Sequence, residues 1–111
     1  MKMKLLFLLT FISTALFADV LEVRLWKAIP GSSAQLMQNA LEARGIHQKL
    51  GGQVVVATDR QGRLHYATAH KNWTGWAAFQ KKLEASDEWS AFAQKIGAAP
   101  TATLESHYLV N

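Results

Sequence analysis

The 111-residue sequence contains no cysteine, so no disulfide can stabilise its fold. It also lacks an apolar run long enough to span a bilayer. The longest such run, residues 5–17, covers about 13 positions where roughly 20 are needed. Its basic residues form isolated pairs, such as Lys81 and Lys82, and no continuous basic stripe, which argues against a nucleic-acid partner.

The first eighteen residues have the layout of a secretory signal peptide. Lys2 and Lys4 precede the apolar run, and the small residue Ala18 precedes the charged Asp19. Leu16, three residues before the expected cut, departs from the usual small residue, so the cleavage site stays open. We predict a signal peptide at 1–18 and an exported protein, periplasmic or secreted, with no stable membrane anchor after cleavage.

The remaining residues, 19–111, are enough for one domain of marginal stability. Because disulfides are excluded, oligomerisation is the common remaining support for a domain of this size. The sequence therefore favours a homodimer.

Periodicity predicts the order β-α-β-β-α-β. Residues alternate with period two over 20–27 and 63–71, a β-branched run covers 53–58, and a last strand covers 101–110. Apolar residues at helical spacing fill the two intervening segments, with Ser32 or Ser33 capping the first helix. Asn72 or Thr74 caps the second helical region, and Ser86 begins a new helical turn after a break near Ala85.

This order fits the ferredoxin-like α+β fold, a four-stranded antiparallel sheet with both helices on one side. The other side of the sheet carries aromatic and aliphatic groups, and a single domain rarely leaves such a surface in water. Joining two sheets in a dimer would bury it.

The segment after the third strand, Asn72-Trp73-Thr74-Gly75-Trp76-Ala77-Ala78-Phe79, is followed by Leu83, Ser86, Trp89 and Phe92. In this pattern the chain resembles the antibiotic-biosynthesis-monooxygenase-like (ABM) domains of the dimeric α/β-barrel superfamily. The resemblance covers nearly all of 19–111 and implies two ferredoxin-like subunits whose sheets meet in a barrel.

Two branches of that family imply different chemistry. In the cofactor-independent monooxygenases, residues similar to Asn72 and Trp76 hold a phenolic substrate, with an Arg on the sheet. The last strand here has no Arg, and Arg24 is a poor substitute. The haem-degrading branch has a Trp like Trp73 but needs a His on the second helix, and residues 74–97 contain none. The resemblance therefore argues against haem degradation.

The four histidines, His47, His65, His70 and His107, are the side chains most suited to proton transfer near neutral pH. Their spacing matches no compact metal motif, so we expect neither a metal nor a cofactor. Ala67 and Ala69 either leave room for a ligand beside His65 and His47, if their face lies under the helices, or allow close contact between two sheets.

Strands one and four are neighbours in this fold, so Glu22 and Arg24 are predicted to form a cross-strand network with Glu105 and His107. Such a network could orient a ligand or lock a dimer.

Three functions follow as hypotheses. The first is an exported dimeric domain that binds a small apolar or aromatic molecule, with Arg24, His47, His65 and Trp73 as ligand contacts. The second is an ABM-type monooxygenase in which Asn72 and Trp76 position the substrate and His70 or His107 moves a proton. The third is a structural or stress-related dimer without a ligand, and the sequence leaves open whether the protein is an enzyme.

Overall fold

The computed structural model describes residues 19–111. The predicted signal peptide lies outside these residues. Within the described part, no helix is long and apolar enough to cross a membrane. The elements, in chain order, are β1 (Val20–Ala28), α1 (Ser33–Lys49), β2 (Gln53–Thr58), β3 (Arg63–His70), α2 (Trp73–Ala85), α3 (Asp87–Ala98) and β4 (Ala102–Val110).

The four strands form one antiparallel sheet in the order β2-β3-β1-β4. This order confirms the predicted ferredoxin-like α+β fold, with strands one and four as neighbours. Asp59–Gly62 closes the hairpin between β2 and β3, where Gly62 takes a positive φ of 77°. Glycine accepts this backbone conformation without the clash that a Cβ causes.

The helices pack on the sheet face that carries the even-numbered residues of β1 and β3. Because side chains alternate along a strand, Leu64, Tyr66, Thr68 and His70 all point into this layer and are buried. The hydrophobic core combines Leu64 and Tyr66 with Val54 on β2, with Phe92 on α3, and with four residues of α1: Leu36, Ala40, Ala43 and Ile46. Leu41, on the other side of α1, is 43% exposed, whereas Ile46 is 3% exposed.

The opposite face, called here the open face, has no buried side chains. It carries the odd-numbered residues of β1 and β3 with their cross-strand neighbours: Leu21, Val23, Leu25, Val55, Ala67, Ala69, Tyr108 and Val110. Tyr108 and Val110 are 45% and 46% exposed. Periodicity allowed Ala67 and Ala69 to lie on either face of the sheet. In the structure they lie on the face away from the helices.

Helix capping sets the boundaries of the second helical region as predicted. Asn72 accepts a hydrogen bond from the Gly75 backbone N–H at 2.8 Å, and Ser86 accepts one from Trp89 at 3.1 Å. The extended backbone of Ser86 separates α2 from α3 directly after Ala85, so the predicted break is confirmed. Ser32 occupies the N-cap position of α1, but its side chain makes no capping hydrogen bond.

Candidate functional site

A cavity of about 630 Å³ lies between the sheet and the helices. Small ligand sites in proteins have roughly 300–1,000 Å³. Most of its wall is apolar, and its polar side chains come from β1, β3, α1 and α2, with Thr101 before β4. The residues that line the cavity include Glu22, Arg24, Trp26, Leu36, Ala40, His47, Leu64, Tyr66, Thr68, Phe79, Leu83, Trp89, Phe92 and Ile96.

Glu22 is the centre of a hydrogen-bonded cluster at the polar end of this cavity. Only 4% of the residue is exposed, and its carboxylate contacts three donors. The Trp76 indole N–H donates to Oε1 at 3.1 Å, His107 Nε2 lies 2.7 Å from Oε2, and Arg24 Nη2 lies 3.2 Å from Oε2. Since buried carboxylates require such partners, the cluster explains how an acidic residue tolerates this position.

Burial by itself raises the pKa of Glu22, because it disfavours the charged form. The hydrogen bond from His107, the positive charge of Arg24 and the hydrogen bond from Trp76 outweigh this effect, so the pKa lies below its ordinary value. Glu22 is therefore an anion at neutral pH. It holds Arg24 at the cavity wall, where both residues line the open space.

The predicted network between strands one and four is present in Glu22, Arg24 and His107. Its fourth member is Trp76, where Glu105 was expected. Arg24 pairs with His107 in the strand register, which explains why His107 reaches Glu22. A register shift after Leu25 places Glu105 outside the regular pairing, and its carboxylate instead lies 3.6 Å from Arg63. A β-bulge of this kind re-aims the side chain of the extra residue.

His47 projects from α1 into the cavity wall, although only 3% of the residue is exposed. It stacks on Phe79 and meets Trp89 edge to face, with ring centroids 5.4 and 4.7 Å apart. Its Nδ1 lies 2.9 Å from the Ala43 carbonyl oxygen and 3.0 Å from the Tyr66 hydroxyl. Burial lowers the pKa of His47, so the ring is neutral at neutral pH.

A second recess of about 470 Å³ lies beside His70, at the junction of α1, β2 and α2. His70 is buried and hydrogen-bonded to Thr68 at 3.1 Å, and burial lowers its pKa. Gly52 faces the Phe79 ring here. A Cβ at this position would come within 2.7 Å of that ring and 2.9 Å of the His47 carbonyl oxygen, so only glycine allows this close packing.

These buried histidines make stability depend on pH. Both have folded-state pKa values below the ordinary value of 6.5, so the unfolded chain binds more protons and acid favours unfolding. We expect the free energy of unfolding to be constant above about pH 7 and to fall as the pH drops below about 6.5. Glu22 adds a further loss below its ordinary pKa of 4.5.

Urea unfolding at pH 7.5 and 5.5 measures this effect, with His70→Gln as the comparison. Glutamine keeps a polar side chain but takes up no proton, so the variant should lose less stability between the two pH values. Equal losses in the variant and the natural protein would contradict a contribution from His70.

The structure brings together four of the residues predicted from sequence, because Arg24, Trp76 and His107 all contact Glu22, while His47 lines the same cavity as Arg24. Trp73 lies outside that cavity, is 45% exposed, and packs edge to face on Trp76 with centroids 5.9 Å apart. The cavity tryptophans are instead Trp26 and Trp89.

His65 is separated from the cavity by the sheet. It pairs with Leu25 on the open face and lies 2.9 Å from Asp59 Oδ2, so a ligand beside both His65 and His47 is ruled out within one subunit. Asn72 uses its side-chain oxygen as the cap of α2. His70 lines the smaller recess.

Sequence reasoning placed Glu22 in a network but missed it as a site residue, and it also missed Tyr66, Trp89 and Phe92. The signal for Glu22 was an acidic residue in a central strand, and its own cross-strand partners in the structure are Thr68 and Leu109. In residues 19–111 no group of three or more His, Asp or Glu side chains is arranged to hold a metal ion.

The strand order and the single helical layer define the class of this chain. It is a ferredoxin-like α+β domain.

Comparison with solved structures agrees with this class. An uncharacterised NIPSNAP domain protein from Burkholderia xenovorans is similar with a TM-score of 0.66 and 20% identity, over 82% of this chain and 89% of that chain. A NIPSNAP family protein from Agrobacterium tumefaciens gives 0.64 and 15%, over 81% and 80%. A Pseudomonas aeruginosa protein gives 0.56 and 12%, over 83% and 89%.

At these identities the likeness concerns the fold alone. No family model matches the chain, and no curated protein matches it. The ABM assignment suggested by the sequence is therefore not confirmed. What the neighbours support is the broader ferredoxin-like type that ABM and NIPSNAP domains share.

Proposed function

We propose that this protein binds a small apolar or aromatic molecule in the cavity between its sheet and its helices. The observation that carries the proposal is the cavity itself, about 630 Å³ with a mainly apolar wall and a polar end built by Glu22, Arg24, His47 and Tyr66. An apolar lining with a few convergent polar groups is the usual composition of a small-molecule site.

Blocking the mouth of the cavity tests this function. Ala93 and Ala91 are both exposed on α3, but only Ala93 lines the cavity. We expect 2-methoxynaphthalene, a two-ring probe, to shift the indole N–H resonances of Trp26 and Trp89 in NMR spectra. Ala93→Trp should abolish these shifts, because the larger ring fills the entrance.

Ala91→Trp is the matched control, since it adds the same ring to the same helix away from the cavity. It should leave the titration unchanged. The exposed Trp73 provides an internal control, because its indole resonance should not move. Shifts that are equal in both variants would show that the probe binds elsewhere on the surface.

Catalysis remains the second hypothesis. The side chains proposed for a monooxygenase are engaged in structural contacts, since Asn72 caps α2 and the Trp76 indole N–H is bound to Glu22. We therefore place binding before turnover. Oxygen uptake in the presence of phenols, lost in Trp76→Phe, would reverse that order.

We also propose that two copies associate through the open face. Its side chains are aliphatic or aromatic around the centre, and burying them in a partner stabilises both chains by the hydrophobic effect. Export through the predicted signal peptide belongs to the same proposal and is tested by fractionating cells and determining the amino terminus of the mature protein.

A charge at the centre of the open face should separate the subunits. Val23 pairs with Ala67 on one side and Tyr108 on the other, so Val23→Arg places an unpaired cation in the middle of the contact. Sedimentation should show a dimer for the natural protein and a folded monomer for the variant at micromolar concentration. Gln38→Arg, at an exposed position of α1 on the other side of the sheet, is the control and should stay dimeric. A natural protein that sediments as a monomer would overturn the dimer.

A further inference from the structure

The tautomer of His47 is determined by its contact with the main chain. The Ala43 carbonyl oxygen, 2.9 Å from Nδ1, can only accept a hydrogen bond, so Nδ1 carries the proton. Since the ring is neutral, Nε2 is then an unprotonated acceptor. The Tyr66 hydroxyl, 3.0 Å from the same Nδ1, shares that N–H as a second acceptor.

His47 Nε2 makes no hydrogen bond to any residue in the described chain. No side-chain nitrogen or oxygen of residues 19–111 is both fully buried and without a partner, so Nε2 must reach open space. The open space that His47 lines is the 630 Å³ cavity. The ring is otherwise enclosed by Tyr66, Phe79 and Trp89.

The Tyr66 hydroxyl complements this acceptor. Because its oxygen accepts from His47 Nδ1, its own hydrogen has no acceptor among the described residues, and Tyr66 lines the same cavity. The polar end therefore offers an unused acceptor on His47 and an unused donor on Tyr66. A ligand hydroxyl can donate to Nε2, whereas an ether oxygen can only accept.

We propose that the ligand is an apolar compound carrying a hydroxyl group, an alcohol or a phenol, whose O–H donates to Nε2 of His47. This inference rests on the binding function proposed above and names the class of ligand. The hydroxyl supplies the donor that Nε2 lacks, and the apolar part of the ligand packs against Leu64, Trp89 and Phe92.

Two probes of nearly equal shape test the proposal. 2-Naphthol carries the O–H, and 2-methoxynaphthalene replaces it with a methyl ether. We expect the natural protein to bind 2-naphthol about tenfold more tightly at pH 7.5, the effect of one hydrogen bond to an otherwise unsatisfied acceptor. His47→Leu should bring the ratio of the two affinities close to one. Tyr66→Phe should leave the ratio unchanged, because it keeps His47 Nε2 as the acceptor and Ala43 as the acceptor of Nδ1–H.

Histidine ¹⁵N spectra of the natural protein keep the test independent of how well His47→Leu folds. They should show His47 protonated at Nδ1, with an Nε2 resonance that moves on addition of 2-naphthol and stays in place with 2-methoxynaphthalene. Protonation at Nε2 would overturn the inference. Equal binding of both probes would overturn it while leaving the binding function intact, and binding of neither would remove both.

Discussion

Phe92→Ala is expected to destabilise the domain by about 3 kcal/mol, the lower end of the range for removing a buried aromatic ring. Phe92 is 4% exposed and joins α3 to the core beneath α1. The lower end applies because the ring also borders the cavity, so part of its surroundings is already open. A loss of this size corresponds to a decrease in Tm of about 15 °C for a domain of this length.

Leu41→Ala is the matched control. It also removes a large apolar side chain from a helix, but Leu41 is 43% exposed, so its loss should change stability by less than about 0.5 kcal/mol. Urea unfolding monitored by circular dichroism measures both variants. Similar losses for the two positions would contradict the placement of the core on this face of the sheet.

Glu22→Ala is expected to cost about 3 kcal/mol at pH 7. The substitution leaves the Trp76 indole N–H without its acceptor and Arg24 without its counter-ion. Removing one partner of a buried ion pair commonly costs roughly 3–5 kcal/mol. We expect the lower end, because the side chain of Arg24 is 33% exposed and can turn toward solvent.

Glu105→Ala provides the comparison for Glu22. The carboxylate of Glu105 is 34% exposed and 3.6 Å from Arg63, and exposed pairs of this kind contribute roughly 0.2–1 kcal/mol. Both variants remove one negative charge from the sheet, so a difference of about 2 kcal/mol between them isolates the effect of burial. Glu22→Gln should fall between the two, since its amide oxygen still accepts from Trp76.

Local signals were sufficient for the elements and their ends. The strand over 53–58 and the caps at Asn72 and Ser86 are correct because β-branched runs and N-cap hydrogen bonds depend on residues close in sequence. The strand order could also be predicted, because β-α-β-β-α-β has one common compact solution.

The cavity could not be predicted in the same way. Its wall combines β1, β3 and all three helices, and only packing decides whether side chains such as Trp89 and Phe92 fill the space between them. Trp73 and Trp76 stood out in the sequence, yet neither lines the cavity: Trp73 is 45% exposed, and Trp76 reaches the site only through its hydrogen bond to Glu22. Helical spacing predicts which side of a helix a residue lies on, but not how far that side is from the sheet.

By itself the sequence determined the alternation that divides each central strand into a face for the helices and an open face, because a period of two depends only on the extended backbone. The tertiary structure decided which residues of those faces meet. The regular register of β1 and β4 places His107 beside Glu22, the shift after Leu25 leaves Glu105 near Arg63, and the packing of α1 places His47 beside Tyr66. These contacts join residues between 19 and 85 positions apart in the chain, and no local pattern specifies such pairs.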